Sequence, residues 1–357
     1  MLKAGRRAAP ARKARVGGPR SGSPPVPGLG GVPPAVLSWL LEASEPSMRF
    51  LTLTQLLGRP EQDPEVQESR RNVPRTGWAA EILSGRDPAG WWEGPESLYE
   101  PKYRSTHWRL LVLADLGLTR SHLGIRRSCE LWMDRFPLTG GGVGGNSKGH
   151  GHHCVVGSMV RALVQFGYGA DPRVRPSLEW LVKTADPKGG WSCFGRGRNL
   201  DSWEGLSAFA AYPRDRWTPA MTRTVDRAAE FFLDRELHRQ GEDYAPWYRF
   251  HYPVHYYYDL LVGLEVLSAL GRGQDPRMAF AWDLLERKRR PDGRWVLEAV
   301  HPDVEGNLQE WFRAHPSRRP TPLALEPVGQ PSKMITFRAL RARKRAGRLS
   351  GGPGVPA

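Results

Sequence analysis

Glycine-rich turns, most of them carrying a Trp, return along this chain at a nearly constant step. Pro88-Ala89-Gly90-Trp91, Gly140-Gly141-Gly142-Val143, Pro187-Lys188-Gly189-Gly190-Trp191 and Pro291-Asp292-Gly293-Arg294-Trp295 mark four of them. From Trp91 through Val143 and Trp191 to Trp295 the steps are 52, 48 and 104 residues, and the last is twice the first. The doubled step places a fifth turn near residue 243, where Gly241-Glu242-Asp243-Tyr244-Ala245-Pro246-Trp247 supplies turn formers and a Trp. A second marker keeps step. Asp171-Pro172-Arg173 stands twenty residues ahead of Trp191, counted from Asp171, and Asp275-Pro276-Arg277 stands twenty ahead of Trp295. Asp caps helices and Pro suits their first turn, so each marker starts a helix.

Between the turns, apolar segments such as Met159–Phe166 and Leu260–Leu270 follow the 3.6-residue period rather than strict alternation. Each unit therefore reads as inner helix, Asp-Pro turn, outer helix and Gly-Trp turn. A lone helical hairpin leaves an apolar face in water and buries it by stacking on its neighbours. The expected fold is all-α, a set of helical-hairpin repeats of about 50 residues. Residues 1–33, rich in Arg, Pro, Gly and Ser, read as a disordered basic tail. A single repeat domain spans 34–346, opening with short helices at Pro34 and at Ser47–Leu53, and 347–357 reads as a second disordered tail.

The net charge of +15 suggests nucleic acid until it is located. Residues 1–41 carry seven Lys and Arg and no acid, and residues 328–357 carry seven more and no acid. Fourteen of the fifteen excess charges thus sit at the ends, which read as solvated tails able to make weak contact with a membrane surface. The nearly neutral middle argues against a specific nucleic-acid groove. Three cysteines make no disulfide framework, and no apolar run is long enough to span a bilayer, so a cytoplasmic location is expected. No nucleotide-cofactor motif is present.

Asp292-Gly293-Arg294-Trp295, Gly189-Gly190-Trp191 and the spacing between them resemble the repeats of the prenyltransferase and squalene-cyclase superfamily, over roughly 75–345. The resemblance implies an α/α toroid whose inner helices line a central aromatic cavity. It implies an isoprenoid substrate, polyprenyl or squalene-type. The family's D-x-D-D and D-D-x-x-D runs are absent. Asp201 stands where the zinc Asp of the protein prenyltransferases would be, but Trp203 stands where their zinc Cys would be. Arg196 and Arg198 resemble the basic residues that hold a diphosphate.

Two candidate sites emerge. Cys154, Cys193, Asp201 and His255 come at or near the starts of inner helices, which converge on one end of a toroid. Thiolate, imidazole and carboxylate suit Zn²⁺, and an open fourth position would give Asp201 and His255 catalytic roles. The alternative is that the cysteines are small core residues and His255 a hydrogen-bonded one. His150, His152 and His153 form a separate cluster in a Gly-rich loop. The second site is aromatic: Trp203, Trp247, Phe250, Tyr252 and Tyr256-Tyr257-Tyr258 would pack an isoprenoid or stabilise a cation. Three consecutive residues cannot share one helix face, so one or two of the tyrosines at most would line a cavity. Asp259 follows them as an acid or an orienting group, or as a buried structural partner.

Three functions remain open at this stage. The first is an isoprenoid cyclase or transferase. The second is a non-catalytic toroid that binds a lipid or a protein. The third is a zinc-dependent toroid enzyme acting on a peptide-like substrate, to which Trp191-Ser192-Cys193-Phe194-Gly195 gives a loose resemblance through the lanthionine cyclases.

Overall fold

The computed structural model describes residues 28–192, 202–237, 245–255, 257–300, 309–316 and 323–349, and it is mainly helical. The helices in chain order are α1 (Pro34–Leu40), α2 (Pro46–Leu51), α3 (Pro64–Asn72), α4 (Gly77–Ser84), α5 (Thr106–Asp115), α6 (Leu123–Arg135) and α7 (His153–Leu163). They continue with α8 (Val174–Thr184), α9 (Ser202–Ala211), α10 (Pro219–Leu233), α11 (Leu260–Ala269), α12 (Ala279–Arg287), α13 (Gln309–Ala314) and α14 (Lys333–Arg345). One wider π turn prolongs α2 over Thr52–Leu56, and another prolongs α7 over Val164–Tyr168.

Burial sorts these helices into two kinds. In α11 every residue from Leu260 to Ser268 is buried, as an inner helix packed on all sides requires. Outer helices bury one stripe only: Ile125, Ser128, Cys129, Trp132 and Met133 in α6, and Val174, Ser177, Leu178 and Leu181 in α8. The inner helices touch in sequence. α5 packs on α7, α7 on α9, α9 on α11, α11 on α14, and α14 on α2 and its π turn. α4 packs on both α2 and α5. The closest approach is between α7 and α9, where a Cβ on Gly157 would lie 2.5 Å from the Glu204 carbonyl carbon. Only glycine lets the two backbones meet there.

The Gly-Trp turns are built alike. Trp92, Trp191 and Trp295 each donate an indole N–H to the carbonyl ten residues earlier, on Ile82, Leu181 and Leu285, at 2.7–2.8 Å. The repeating position in the first unit is therefore Trp92, one residue beyond the expected Trp91. Its backbone N–H donates to the side-chain oxygen of Thr106, as that of Trp295 does to Thr336, both at 3.0 Å. The Asp-Pro markers also match. Arg173 pairs with Asp171, Glu130 and Asp134, and Arg277 with Asp275, Glu230 and Asp234, so each clamps its turn to the preceding outer helix.

Two expectations change. The turn at Gly140–Val143 is a small antiparallel hairpin, β1 (Pro137–Leu138) with β2 (Gly142–Val143), so the fold is not purely helical. Three consecutive glycines let the chain reverse tightly enough to pair. The C-terminal basic run is not a solvated tail. α14 buries Met334, Ile335, Phe337, Ala339, Leu340 and Ala342, and Arg338 is only 4% exposed. Its partners come from distant helices, which charge counting along the sequence cannot reveal. Leu29 and Val32, ahead of α1, are buried as well. The turn expected near 243 falls on 241–244, outside the described residues, and Trp247 sits buried in the short helix Ala245–Tyr248. No described helix is long and apolar enough to cross a membrane.

Candidate functional site

A cavity of about 360 Å³ lies between the inner helices. The last residues of all six line it: Gln55, Asp115, Gln165, Ala211, Ala269 and Arg345. It therefore opens at the C-terminal end of these helices. Trp203, Val254 and Met334, nearer their N-termini, line the deeper part. The size falls within the roughly 300–1,000 Å³ of small-molecule sites.

The lining departs from the aromatic wall implied by the resemblance. Among the described residues its aromatic members are Trp203, Tyr252 and Phe337, and four arginines stand against two carboxylates. Arg161 donates through Nη1 to Asp115. Glu265 accepts from Arg338 Nε at 2.6 Å and from Arg341 Nη2 at 2.5 Å and Nε at 3.1 Å. Arg341 reaches Gln55 as well, at 3.1 Å. Burial pushes the Glu265 carboxyl up, but the two guanidinium groups more than offset it and hold the group below the usual carboxylate range. Glu265 is thus an ionised partner and a poor proton donor.

Part of this positive charge answers the helices themselves. Six C-termini gather at this end, each with partial negative charge, and basic groups in last turns are favoured there. That accounts for Arg341 and Arg345. It leaves the other edge of Arg161, where Nε and Nη2 are buried and meet no hydrogen-bond acceptor among the described residues. The Tyr252 hydroxyl, also buried, has no partner there either. Both side chains line the cavity. Unpaired buried donors are costly, and both would be satisfied by acceptor oxygens in the cavity.

Beside the cavity lies a buried polar pair. His251 Nδ1 meets Asp259 Oδ2 at 2.6 Å, and the His251 backbone N–H donates to the same oxygen at 3.0 Å. Asp259 Oδ1 caps α11 by accepting from the Val262 N–H at 2.8 Å. Arg338 donates to the His251 carbonyl at 3.0 Å, which ties this pair to the cavity wall. Asp259 is thus a buried structural partner, one of the roles the sequence allowed, and its partner is His251.

The residues singled out from sequence are scattered. Cys193, Arg196, Arg198, Asp201 and Tyr256 lie outside the described residues. Cys154 and His255 do come together. They line one small cavity of about 10 Å³ with Tyr99, His107, Trp108, Val155 and Ser158. That is room for about one water. Among the described residues, no group of three or more His, Cys, Asp or Glu is placed to hold a metal ion. Trp203 lines the 360 Å³ cavity, whereas Trp247 is buried against Tyr258, and Tyr257 lines neither of these two cavities. His153 bonds Ser192 and Thr184, and His150 and His152 are exposed.

His107 and His255 are both fully buried among aromatic rings. Burial brings His107 down to about 3. Burial, followed by the nearby His107 and His251, carries His255 well below its ordinary value. Both are neutral in the fold, while the unfolded chain takes up protons below about pH 6.5. Stability is therefore present above that pH and is lost as pH falls toward 3, by up to about 1.4 kcal/mol per pH unit for each histidine. Denaturant midpoints at pH 7 and pH 5 should differ accordingly, and His107→Gln should flatten the dependence. An unchanged slope in that variant would remove His107 from the account.

No family model matches the chain, and no curated protein matches it in sequence. Among solved structures, a protein from Actinoplanes is 17% identical, with a TM-score of 0.43, covering 86% of this chain and 90% of its own. A type II terpene cyclase, MstE from Scytonema, is 15% identical with a TM-score of 0.31, covering 79% of this chain and 98% of its own. A variant of that cyclase in complex with geranylgeranyl dihydroxybenzoate is 16% identical with the same TM-score and the same coverage.

Proposed function

We propose that the inner helices form an α/α toroid and that its central cavity binds an isoprenoid-type ligand by an anionic head. The observation that carries this reading is the unpaired edge of Arg161, with the Tyr252 hydroxyl lining the same cavity. An Nε/Nη2 edge matches two oxygens of a carboxylate or phosphate. Val254, Val262, Val266, Met334 and Phe337 supply apolar wall for the rest of the ligand. Binding is favoured over proton-initiated cyclisation because Asp115 and Glu265, the two carboxylates among the described residues of the lining, are engaged with arginines. An acid held ionised by its neighbours, as Glu265 is, does not protonate an alkene readily.

Thermal unfolding with farnesoic acid, farnesyl diphosphate and farnesol tests the reading. The two anions should raise the midpoint and the alcohol should not. A ligand at a hundredfold excess over its Kd stabilises by about 2.7 kcal/mol. Arg161→Gln should abolish the shift. Equal stabilisation by farnesol, or a shift that survives Arg161→Gln, would overturn the anionic head.

A further inference from the structure

The end of the molecule at which the cavity opens is built from six connections: 54–63, 113–122, 166–173, 209–218, 267–277 and 343–349. Contacts run around it from one connection to the next. Lys344 donates to the carbonyls of Gln55 and Leu56 at 3.0 and 2.9 Å. Gln274 donates to Ala346. Arg214 donates to Leu270 at 2.8 Å, and Arg216 to Gly169 at 3.2 Å. The Arg120 N–H donates to Phe166 at 2.9 Å. Gly117 lies against Phe50, where an added Cβ would be 2.9 Å from the ring. The six connections therefore share one face.

That face is basic. Its connections hold eleven Lys and Arg against six Asp and Glu; Arg59, Arg173, Arg272, Arg277 and Arg343 are paired with carboxylates of adjoining helices, so the excess rests on the remaining basic residues. The described connections at the other end (41–45, 85–105, 136–152, 185–192, 245–255, 257–259, 288–300 and 323–332) hold ten against eleven, leaving aside 234–237, whose Asp234 pairs with Arg277 of the first face. Arg120, Arg214, Arg216, Arg345 and Arg348 are exposed on it, and none of them forms an ion pair with a described carboxylate. Several lie over aromatic rings, measured from Cζ to the ring centroid: Arg120 over Tyr168 at 5.1 Å, Arg214 over Trp217 at 4.1 Å and Arg348 over Trp282 at 4.8 Å. Guanidinium groups lying over rings lose little further freedom when they meet an anionic partner.

We propose that this face docks on an anionic phospholipid surface, presenting the cavity mouth to the bilayer. The exposed arginines without an ion pair to a described carboxylate carry the docking. The choice of a lipid surface over a nucleic acid rests on the proposed isoprenoid-type ligand, whose apolar part would reside in a bilayer. The residues concerned belong to the folded end of the molecule and not to residues 1–27. Each basic residue close to an anionic leaflet strengthens partition by roughly fivefold, and salt screens the effect.

Co-sedimentation of the full chain with vesicles tests this without any isoprenoid, so its outcome is separate from that of the ligand assay. Vesicles of phosphatidylcholine with about one-third phosphatidylglycerol should pull the protein down at low salt, and phosphatidylcholine alone should not. High salt should release it. Arg120→Glu, Arg214→Glu and Arg216→Glu together should weaken binding by at least about tenfold. Arg287→Glu with Arg290→Glu, at the other end, should leave it unchanged. The corresponding Arg→Gln triple variant, with a melting curve beside it, covers the case in which charge reversal disturbs the fold. The proposal is overturned if the folded triple variants bind as the parent does, or if the opposite-end variant loses as much. It is equally overturned if vesicle charge makes no difference, or if duplex DNA is bound at a salt concentration where anionic vesicles are not.

Discussion

Glu265→Gln is expected to lower unfolding stability by about 3–5 kcal/mol, measured by chemical denaturation at neutral pH. The substitution keeps the shape of the side chain and removes its charge. Glutamine keeps one acceptor oxygen and no charge, so either Arg338, buried in α14, loses the bond its Nε makes at 2.6 Å or Arg341 loses both of its bonds, and both guanidinium groups lose their counter-charge. Removing one partner of a buried pair leaves the other charge desolvated and uncompensated, which costs more than the intact pair contributes. Asp259 still acts on Arg338 across a longer distance and softens the loss. The double variant Glu265→Leu with Arg338→Met removes both charges and should recover much of the deficit. A loss below about 1 kcal/mol for the single variant would mean that water reaches the site and screens it as it does a surface pair.

This ion-pair cluster shows where sequence reading stops. Glu265 and Arg338 stand 73 residues apart, and no local pattern joins them. A trace was nonetheless present. Glu265 is the lone charge inside Leu260–Ala269, an otherwise apolar helix buried along nearly its whole length. An acid in such a place needs a buried base. In 328–357 the run of basic residues without acids read as a tail, because the count ignored the apolar residues between them. Met334, Ile335, Phe337 and Leu340 follow a helical spacing and had already marked a packed segment. Arg161 and Asp115 were hidden for a similar reason, since each closes an inner helix and meets its partner only through the packing of α5 on α7. What was legible is what repeats locally: the Asp-Pro helix starts, the Gly-Trp turns and the mainly helical fold. Cys154 and His255 were picked from different repeats and do share a small cavity, because inner-helix starts lie side by side. The aromatic candidates divide: Trp203 and Tyr252 line the cavity, and Trp247, Phe250, Tyr257 and Tyr258 do not. Most of the large rings went into the walls between helices, where Trp108, Trp132 and Trp191 are fully packed.

The repeat register itself makes a testable claim about two neighbouring residues of the same type. Trp92→Ala is expected to cost about 3–5 kcal/mol, as truncation of a buried Trp does. Trp92 is 3% exposed, and its indole N–H satisfies the Ile82 carbonyl while its backbone N–H is held by Thr106. Truncation opens a cavity between α4 and α5 and strands the Ile82 carbonyl at the end of α4. Trp91 is half-buried and contributes to the turn chiefly through its backbone carbonyl, which accepts from the Asp87 N–H at 2.8 Å. Alanine keeps that bond, so Trp91→Ala should cost no more than about 1 kcal/mol. Trp92→Phe separates ring from hydrogen bond. It retains most of the apolar fill and should lose about 1–3 kcal/mol, the cost of leaving the carbonyl without its donor. The same order should hold for Trp191 and Trp295, whose indoles make the equivalent bond. If Trp91→Ala proves the more damaging of the two neighbours, the first unit keeps the register expected from sequence, and the turn geometry described for Trp92 is wrong.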